Sequence, residues 1–225
     1  MAYKYQYDSL VVWIKRGVAF VKISSPGNLN ALTNDVRADL SNCLKKASQD
    51  DRIKVTVITG EGRVFSVGGS QGDGNAICEL ISDMEKPVIA AVNGYAIGAG
   101  MELAIGCDMV IAAEDAKFCE ISSQRDIDPH ERKLYFMSPS VDEEDARERR
   151  FAVRTIGARE AAEMGIVNVI TPKAELFNEV LKQAASIAKG FTISIKYVKR
   201  LKSRTGREEK ANVTSIQDHS MERQG

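Results

Sequence analysis

The chain of 225 residues has only two histidines, one tryptophan, five prolines and no net charge, its 31 Lys and Arg balancing 31 Asp and Glu. Such a balance provides no field to hold a nucleic-acid backbone or an anionic lipid surface, so neither partner is expected. No apolar run approaches the roughly 18 residues of a membrane span. The start, Met1-Ala2-Tyr3-Lys4, lacks the basic-then-apolar pattern of a leader, and a cytoplasmic location is expected. The four cysteines, Cys43, Cys78, Cys107 and Cys119, include no close pair of the kind that binds zinc or cycles between thiol and disulfide. They read as buried free thiols, and no metal or redox cofactor is called for. What remains, 44% apolar and 28% charged residues, suffices for one substantial core.

The hydrophobic pattern alternates between two periods. Residues 11–23 read as two β-branched and aromatic strands joined by a turn at Lys15-Arg16-Gly17. Val36, Leu40, Cys43, Leu44 and Ala47 then recur at helical spacing, with Thr33 or Asn34 available as the N-cap. Val55–Thr59 is a short apolar strand, followed by the glycine-rich stretch Phe65-Ser66-Val67-Gly68-Gly69-Ser70. Ile77, Leu80, Ile81 and Met84 mark a second helix. Val88–Val92 is a buried-type strand, followed in turn by a second glycine-rich stretch, Asn93-Gly94-Tyr95-Ala96-Ile97-Gly98-Ala99-Gly100. A short helix over Met101–Gly106, a strand over Asp108–Ala112, a helix over Ala158–Met164 stopped by Gly165, an extended segment over Val167–Ile170 and a helix over Ala174–Ala188 complete the pattern. Strands alternating with helices predict right-handed crossovers and a largely parallel α/β arrangement. Residues 203–225 have little apolar content and are expected to be poorly ordered.

A strand that runs into a glycine-rich stretch is a ligand-site geometry, and here it occurs twice. Small residues let a ligand approach the backbone, and a helix starting at such a turn points free N–H groups at that ligand. Two such amides converging on one point would form an oxyanion hole, and Gly69 and Ala99 are the candidate donors. Glu102 follows one helical turn after Ala99. A glutamate there favours the positive end of the helix dipole and can be a plain capping group. Its flanks, Met101, Leu103, Ala104 and Ile105, are apolar, and a carboxylate is costly to bury among them, which favours a functional role.

The combination of Asn30-Ala31-Leu32, Phe65-Ser66-Val67-Gly68-Gly69 and Gly98-Ala99-Gly100-Met101-Glu102-Leu103-Ala104 with Cys107-Asp108, Ala112-Ala113 and Ala116-Lys117-Phe118 resembles the enoyl-CoA hydratase/isomerase, or crotonase, superfamily. Ala161-Ala162-Glu163-Met164-Gly165-Ile166-Val167-Asn168 resembles a later segment of the same family. The resemblance implies a crotonase-like spiral of repeated strand-strand-helix units over residues 1–172. It also implies a helical C-terminal and trimerisation region over 173–225, and assembly as a homotrimer or a dimer of trimers. The implied ligand is an acyl-CoA or carrier-protein thioester, with coenzyme A entering only as part of the substrate. By position, Gly69 and Ala99 match the family's oxyanion-hole donors and Glu102 its first catalytic glutamate. Ala31, Val67, Gly68 and Gly98 would line the substrate site. The implied activity is enoyl-CoA hydratase-like. Isomerase or decarboxylase chemistry through the same enolate, or a non-catalytic thioester-binding or assembly subunit, are the alternatives.

One departure bears on the reaction. The family's second catalytic glutamate falls on Ser122, whose hydroxyl barely ionises near neutral pH and cannot take that role. Glu120 lies two residues earlier, on the same face if the segment is a strand, and is the candidate substitute, with Ser122 beside the substrate. The segment Asp126-Ile127-Asp128-Pro129-His130-Glu131-Arg132-Lys133 stands where the family is glycine-rich; His130, Asp126 and Tyr135 read more simply as surface residues than as acids or bases. The run Asp142–Arg150, acids first and bases last, suits a solvated helix. The basic cluster Lys196, Lys199, Arg200, Lys202, Arg204 and Arg207 has two readings, a contact for coenzyme A phosphates or solvated helix charges.

Overall fold

The computed structural model describes residues 7–69, 74–119, 154–190 and 199, the side chains of residues 74 and 75 excepted. Two antiparallel strands open it, β1 (Leu10–Lys15) and β2 (Val18–Ile23), with Lys15 facing Val18. Arg16 and Gly17 between them both have positive φ, 52° and 77°. That is the turn whose twist matches the twist of the strands it joins. Helix α1 (Asn34–Gln49) follows, and Thr33 caps it by accepting a hydrogen bond from the Val36 amide at 3.4 Å. Its buried residues are Val36, Leu40, Cys43, Leu44 and Ala47, the five that the spacing predicts.

From here the chain weaves between two sheets. Strand β3 (Val55–Gly60) joins the first sheet and β4 (Val64–Val67) the second, before helix α2 (Gly74–Asp83). The move repeats with β5 (Val88–Val92), β6 (Tyr95–Ile97) and helix α3 (Ala99–Gly106), and again with β7 (Met109–Ala113) and β8 (Lys117–Cys119). Strand β9 (Thr155–Gly157) closes the second sheet. Helix α4 (Ala158–Glu163) leads to β10 (Val169–Thr171), which returns to the first sheet beside β7. The first sheet has the order β1-β2-β3-β5-β7-β10 and the second β4-β6-β8-β9. Within them only β1–β2 and β8–β9 are antiparallel pairs. Helix α5 (Leu176–Ala188), entered through a short 3-10 turn at Lys173–Glu175, packs across β2, β3, β5 and β7. Strand β5 is therefore buried along its whole length, which is why Val88–Val92 reads as an unbroken apolar run.

This is the spiral of strand-strand-helix units expected from the sequence. The difference lies in the two glycine-rich stretches. Each contains a short strand of the second sheet, β4 or β6, and only the residues after that strand form the turn. Strands of three or four residues carry too little periodicity to stand out, and their neighbours in the sheet stabilise them. The same applies to β8 and β9.

Two asparagines clamp the corner where the chain passes from the first sheet to the second. The Asn30 Nδ2 donates to the carbonyls of Glu61 and Val64 at 3.0 and 2.8 Å, while its Oδ1 accepts from the Ser25 amide at 3.0 Å. Asn93 approaches from the other side. Its Nδ2 donates to the Gly62 and Val64 carbonyls, and its Oδ1 accepts from the Gly60 amide at 3.1 Å. Asn30 is fully buried and has a φ of 54°, a left-handed conformation that asparagine tolerates better than most residues.

Lys199 departs from both readings of the basic cluster. It neither faces solvent nor is placed to meet a phosphate. It is 6% exposed, with its Nζ 2.7 Å from Asp108 Oδ2 and 2.8 Å from the Lys86 carbonyl. The same Asp108 oxygen accepts from the Val88 amide at 2.8 Å, so the pair is tied into the start of β5. The other five cluster residues, the run 142–150, the segment 126–135 and the tail 203–225 lie outside the described residues.

Two tests follow from the packing. Asn30→Ala removes three hydrogen bonds and takes from the Ser25 amide and the Glu61 carbonyl the partner that Asn30 gives them, so it is expected to cost about 2–4 kcal/mol in denaturant unfolding; a loss below about 0.5 kcal/mol would contradict the clamp. All four thiols are buried and outside any disulfide, and burial pushes Cys43 up to about 11 and Cys78 up to about 12. Below pH 9, the ordinary thiol value, both folded and unfolded chains keep these protons. Above it the unfolded chain loses them first, so stability is expected to fall as pH rises from about 9 toward 11, by about 1.4 kcal/mol per pH unit for each thiol. At pH 8 the native thiols should resist a thiol reagent that labels all four in denaturant; rapid labelling of the native protein would show this packing to be wrong.

Candidate active site

The second sheet builds the site through its register. Strands β4 and β6 are parallel neighbours, and their last paired residues are Val67 and Ile97. Each strand then runs through one glycine to a small residue, Gly68 to Gly69 on one and Gly98 to Ala99 on the other. Gly69 and Ala99 thus stand at equal offset past one cross-strand pair, and they emerge side by side. The Gly68 amide donates to the Ile97 carbonyl at 2.9 Å, and the Gly98 amide to the Cys119 carbonyl of β8 at 2.8 Å. A Cβ placed on Gly69 would lie 3.2 Å from the Ala99 Cβ and 2.9 Å from the Leu32 carbonyl oxygen.

Local backbone chemistry explains why these residues are small. Gly98 has φ 58° and ψ −122°, a conformation closed to side-chain-bearing residues, and from it α3 starts at once with Ala99. As first residue of the helix, Ala99 has no intrahelical partner for its N–H. Gly100 then packs α3 directly on β4, since a Cβ there would run into the Ser66 carbonyl oxygen. On the other side Leu32 donates to the Gly68 carbonyl at 3.1 Å and Leu29 accepts from the Val67 amide at 3.1 Å. Ala31 sits between those two contacts, beside the turn. Ala31, Val67, Gly68, Gly69, Gly98 and Ala99 therefore share one junction.

Glu102 lies on α3 three residues after Ala99, so the two share a helix face. It is half-buried, while Met101, Leu103 and Ala104 around it are buried. From α2, the Cys78 thiol donates to the Glu102 backbone carbonyl at 3.6 Å. Burial is the main reason that the Cys78 thiol is pushed up to about 12, the Glu102 carboxylate adds to it, and the Arg37 guanidinium opposes it. Glu102 and Arg37 thus both lie within electrostatic reach of one thiol. The helix has no side-chain cap at Gly98. Glu120 and Ser122 lie outside the described residues, which end on this side at Cys119 of β8.

Arg37 was not among the residues singled out by the sequence. Its terminal nitrogen is 3.2 Å from the Cβ position of Gly69. The signal that could have found it is positional: it falls three residues before Leu40 and seven before Leu44, on the buried side of an amphipathic helix where a cation is unexpected.

Comparison with known proteins shows the family. Residues 13–223 match the family model described as enoyl-CoA hydratase/isomerase. The chain is 31% identical to a crotonyl-CoA hydratase from Syntrophomonas wolfei over 201 residues, 80% of this chain and 76% of that protein. Among solved structures it is similar to an enoyl-CoA hydratase from Mycobacterium avium subsp. paratuberculosis, with a TM-score of 0.79 and 28% identity over 87% of this chain and 84% of that one. It is also similar to a monofunctional enoyl-CoA isomerase from M. smegmatis, with a TM-score of 0.77 and 28% identity over 85% of this chain and 90% of that one. A woven pair of sheets that sets two small-residue turns side by side, together with a family match over nearly the whole length, shows that the chain belongs to the enoyl-CoA hydratase/isomerase family.

Proposed function

We propose that this chain is an enoyl-CoA hydratase-like enzyme, and that the junction of Gly69, Ala99 and Glu102 is its active site. The observation that carries the proposal is the shared offset of Gly69 and Ala99 beyond the Val67–Ile97 pair. That offset supports a reading in which both backbone amides donate to one thioester carbonyl oxygen. As water adds to the third acyl carbon, negative charge moves onto that oxygen, and the two N–H groups stabilise it more strongly in the enolate than in the substrate. Glu102 takes a proton from the attacking water and returns one to the second acyl carbon. One carboxylate thus completes the addition, and the product is a 3-hydroxyacyl thioester. Ala31, Val67, Gly68 and Gly98 bound the acyl group, and coenzyme A enters only as part of the substrate. Assembly as a trimer or a pair of trimers belongs to the same reading, on the strength of the family resemblance.

A second reading has its own support. Ser122 stands where the resemblance puts a second glutamate, and one of the similar structures is an isomerase. With one carboxylate and no water, Glu102 would remove a proton from the second acyl carbon of a 3-enoyl thioester and return it to the fourth, through the same enolate.

Turnover of crotonyl-CoA, followed as loss of the enoyl thioester chromophore, tests the first reading. Glu102→Gln is expected to lower kcat by about 10²- to 10⁴-fold with little change in KM. Undiminished turnover in that variant would exclude Glu102 from the chemistry. No hydration by the wild type, with conversion of a 3-enoyl thioester, would select the second reading; tight acyl-CoA binding with neither reaction would leave a binding subunit. Glu120→Gln separates the two carboxylates: if Glu102 works alone, turnover stays within about twofold of wild type, and a loss of about 10²-fold would bring Glu120 in as the second glutamate's substitute.

A further inference from the structure

The site contains a charge that the reaction scheme has not used. Arg37 projects from α1 toward the Gly69 turn, with a terminal guanidinium nitrogen 3.2 Å from the Cβ position of that glycine. The same position is 3.2 Å from the Ala99 Cβ, so the cation, the Gly69 backbone and the first residue of α3 meet at one point. Arg37 is only half-buried by area, but it stands on the side of α1 that carries the buried Leu40 and Leu44. Leu32 is 3% exposed and Ala99 9%, so the immediate walls are apolar and exclude much of the water that would screen a charge. In such surroundings a fixed cation acts over several ångströms at little reorganisation cost when negative charge develops.

We propose that Arg37 is a positioning residue for the enolate: its guanidinium fixes the Gly69 turn against Ala99 and adds a positive potential at the oxyanion position that the two amides create. Its effect falls on the transition state rather than on binding, because the thioester carbonyl of the substrate carries little charge and the enolate oxygen carries nearly a full one. Glycine at 69 is part of the device. A side chain there would press on the Leu32 carbonyl oxygen, 2.9 Å from the Cβ position, and push the guanidinium, at 3.2 Å, slightly back from the turn. The inference rests on the proposed use of Gly69 and Ala99 as oxyanion donors, and it is independent of whether hydration or isomerisation follows.

Carbonyl polarisation reports on this potential directly. With an acyl-CoA that binds without turning over, such as acetoacetyl-CoA or a saturated butyryl-CoA, the infrared stretch of the bound thioester carbonyl should move to lower frequency in the wild type. Arg37→Met should reverse part of that shift and lower kcat by about tenfold or more, with KM within about threefold of wild type. Arg37→Lys keeps the charge without the planar fork and should restore part of both effects. Equal carbonyl shifts in the wild type and a folded Arg37→Met variant, with equal kcat, would overturn the inference and leave the oxyanion site intact. A wild-type carbonyl that is not shifted at all would overturn the oxyanion site itself, and this inference with it. Melting temperatures of the three proteins separate a folding defect from the effect sought, and Arg37→Gln serves as the neutral variant if Arg37→Met does not fold.

Discussion

The parallel pairing of β4 with β6 is the constraint on which the rest of the site depends. Two strands of four and three residues, paired in parallel with one register shift between Val64 and Ser66, end on the matched pair Val67–Ile97 and bring the residues after it to the same level of the sheet. Nothing in either turn alone would produce that convergence. A slip of one residue in the pairing would separate Gly69 from Ala99 by one rise of a strand, about 3.3 Å, and no single carbonyl oxygen could then receive both amides.

What holds so short a pair in register is the remainder of the weave. The first sheet is long, apolar and covered, and it delivers the chain to the second sheet at fixed places. At one such place Asn30 and Asn93 both donate to the Val64 carbonyl, so the start of β4 is gripped from two directions. At the far end, Gly100 lets α3 rest its backbone on the backbone of β4 at Ser66. The strand is therefore fixed at its start by side-chain amides and along its length by direct backbone packing. Fully buried polar groups with satisfied hydrogen bonds specify one arrangement where apolar packing alone would tolerate several. The Lys199–Asp108 pair performs a similar service at the start of β5, tying a residue far along the chain to the segment that follows α3.

Much of this was legible in the sequence, and the reasons are physical. Helix α1 announces itself because five apolar residues at 3.6-residue spacing have one structural explanation. The turn at Arg16-Gly17 and the fully apolar run Val88–Val92 are similarly unambiguous. Gly69, Ala99 and Glu102 could be marked from two glycine-rich stretches, each following an apolar strand and one opening a helix. Strands β4, β6, β8 and β9 were hidden, because a strand of three or four residues owes its existence to neighbours distant in sequence. For the same reason Arg37 and Lys199 went unrecognised. A cation beside a glycine turn and a lysine paired inside the fold both look, in one dimension, like ordinary charges on amphipathic helices. The role of Asn30 was likewise invisible, although the residue belonged to the motif that carries the family resemblance.

In the proposed reaction two backbone amides, one carboxylate and one nearby cation carry catalysis at the end of a sheet of short strands. The central claim is that Gly69 and Ala99 act on the same atom. A crystal structure with acetoacetyl-CoA tests that claim most directly. The account predicts the thioester oxygen about 2.7–3.2 Å from both the Gly69 and the Ala99 backbone nitrogens, with the second acyl carbon facing Glu102. An acyl-CoA bound with its thioester oxygen in contact with neither amide, or with only one of them, would contradict it.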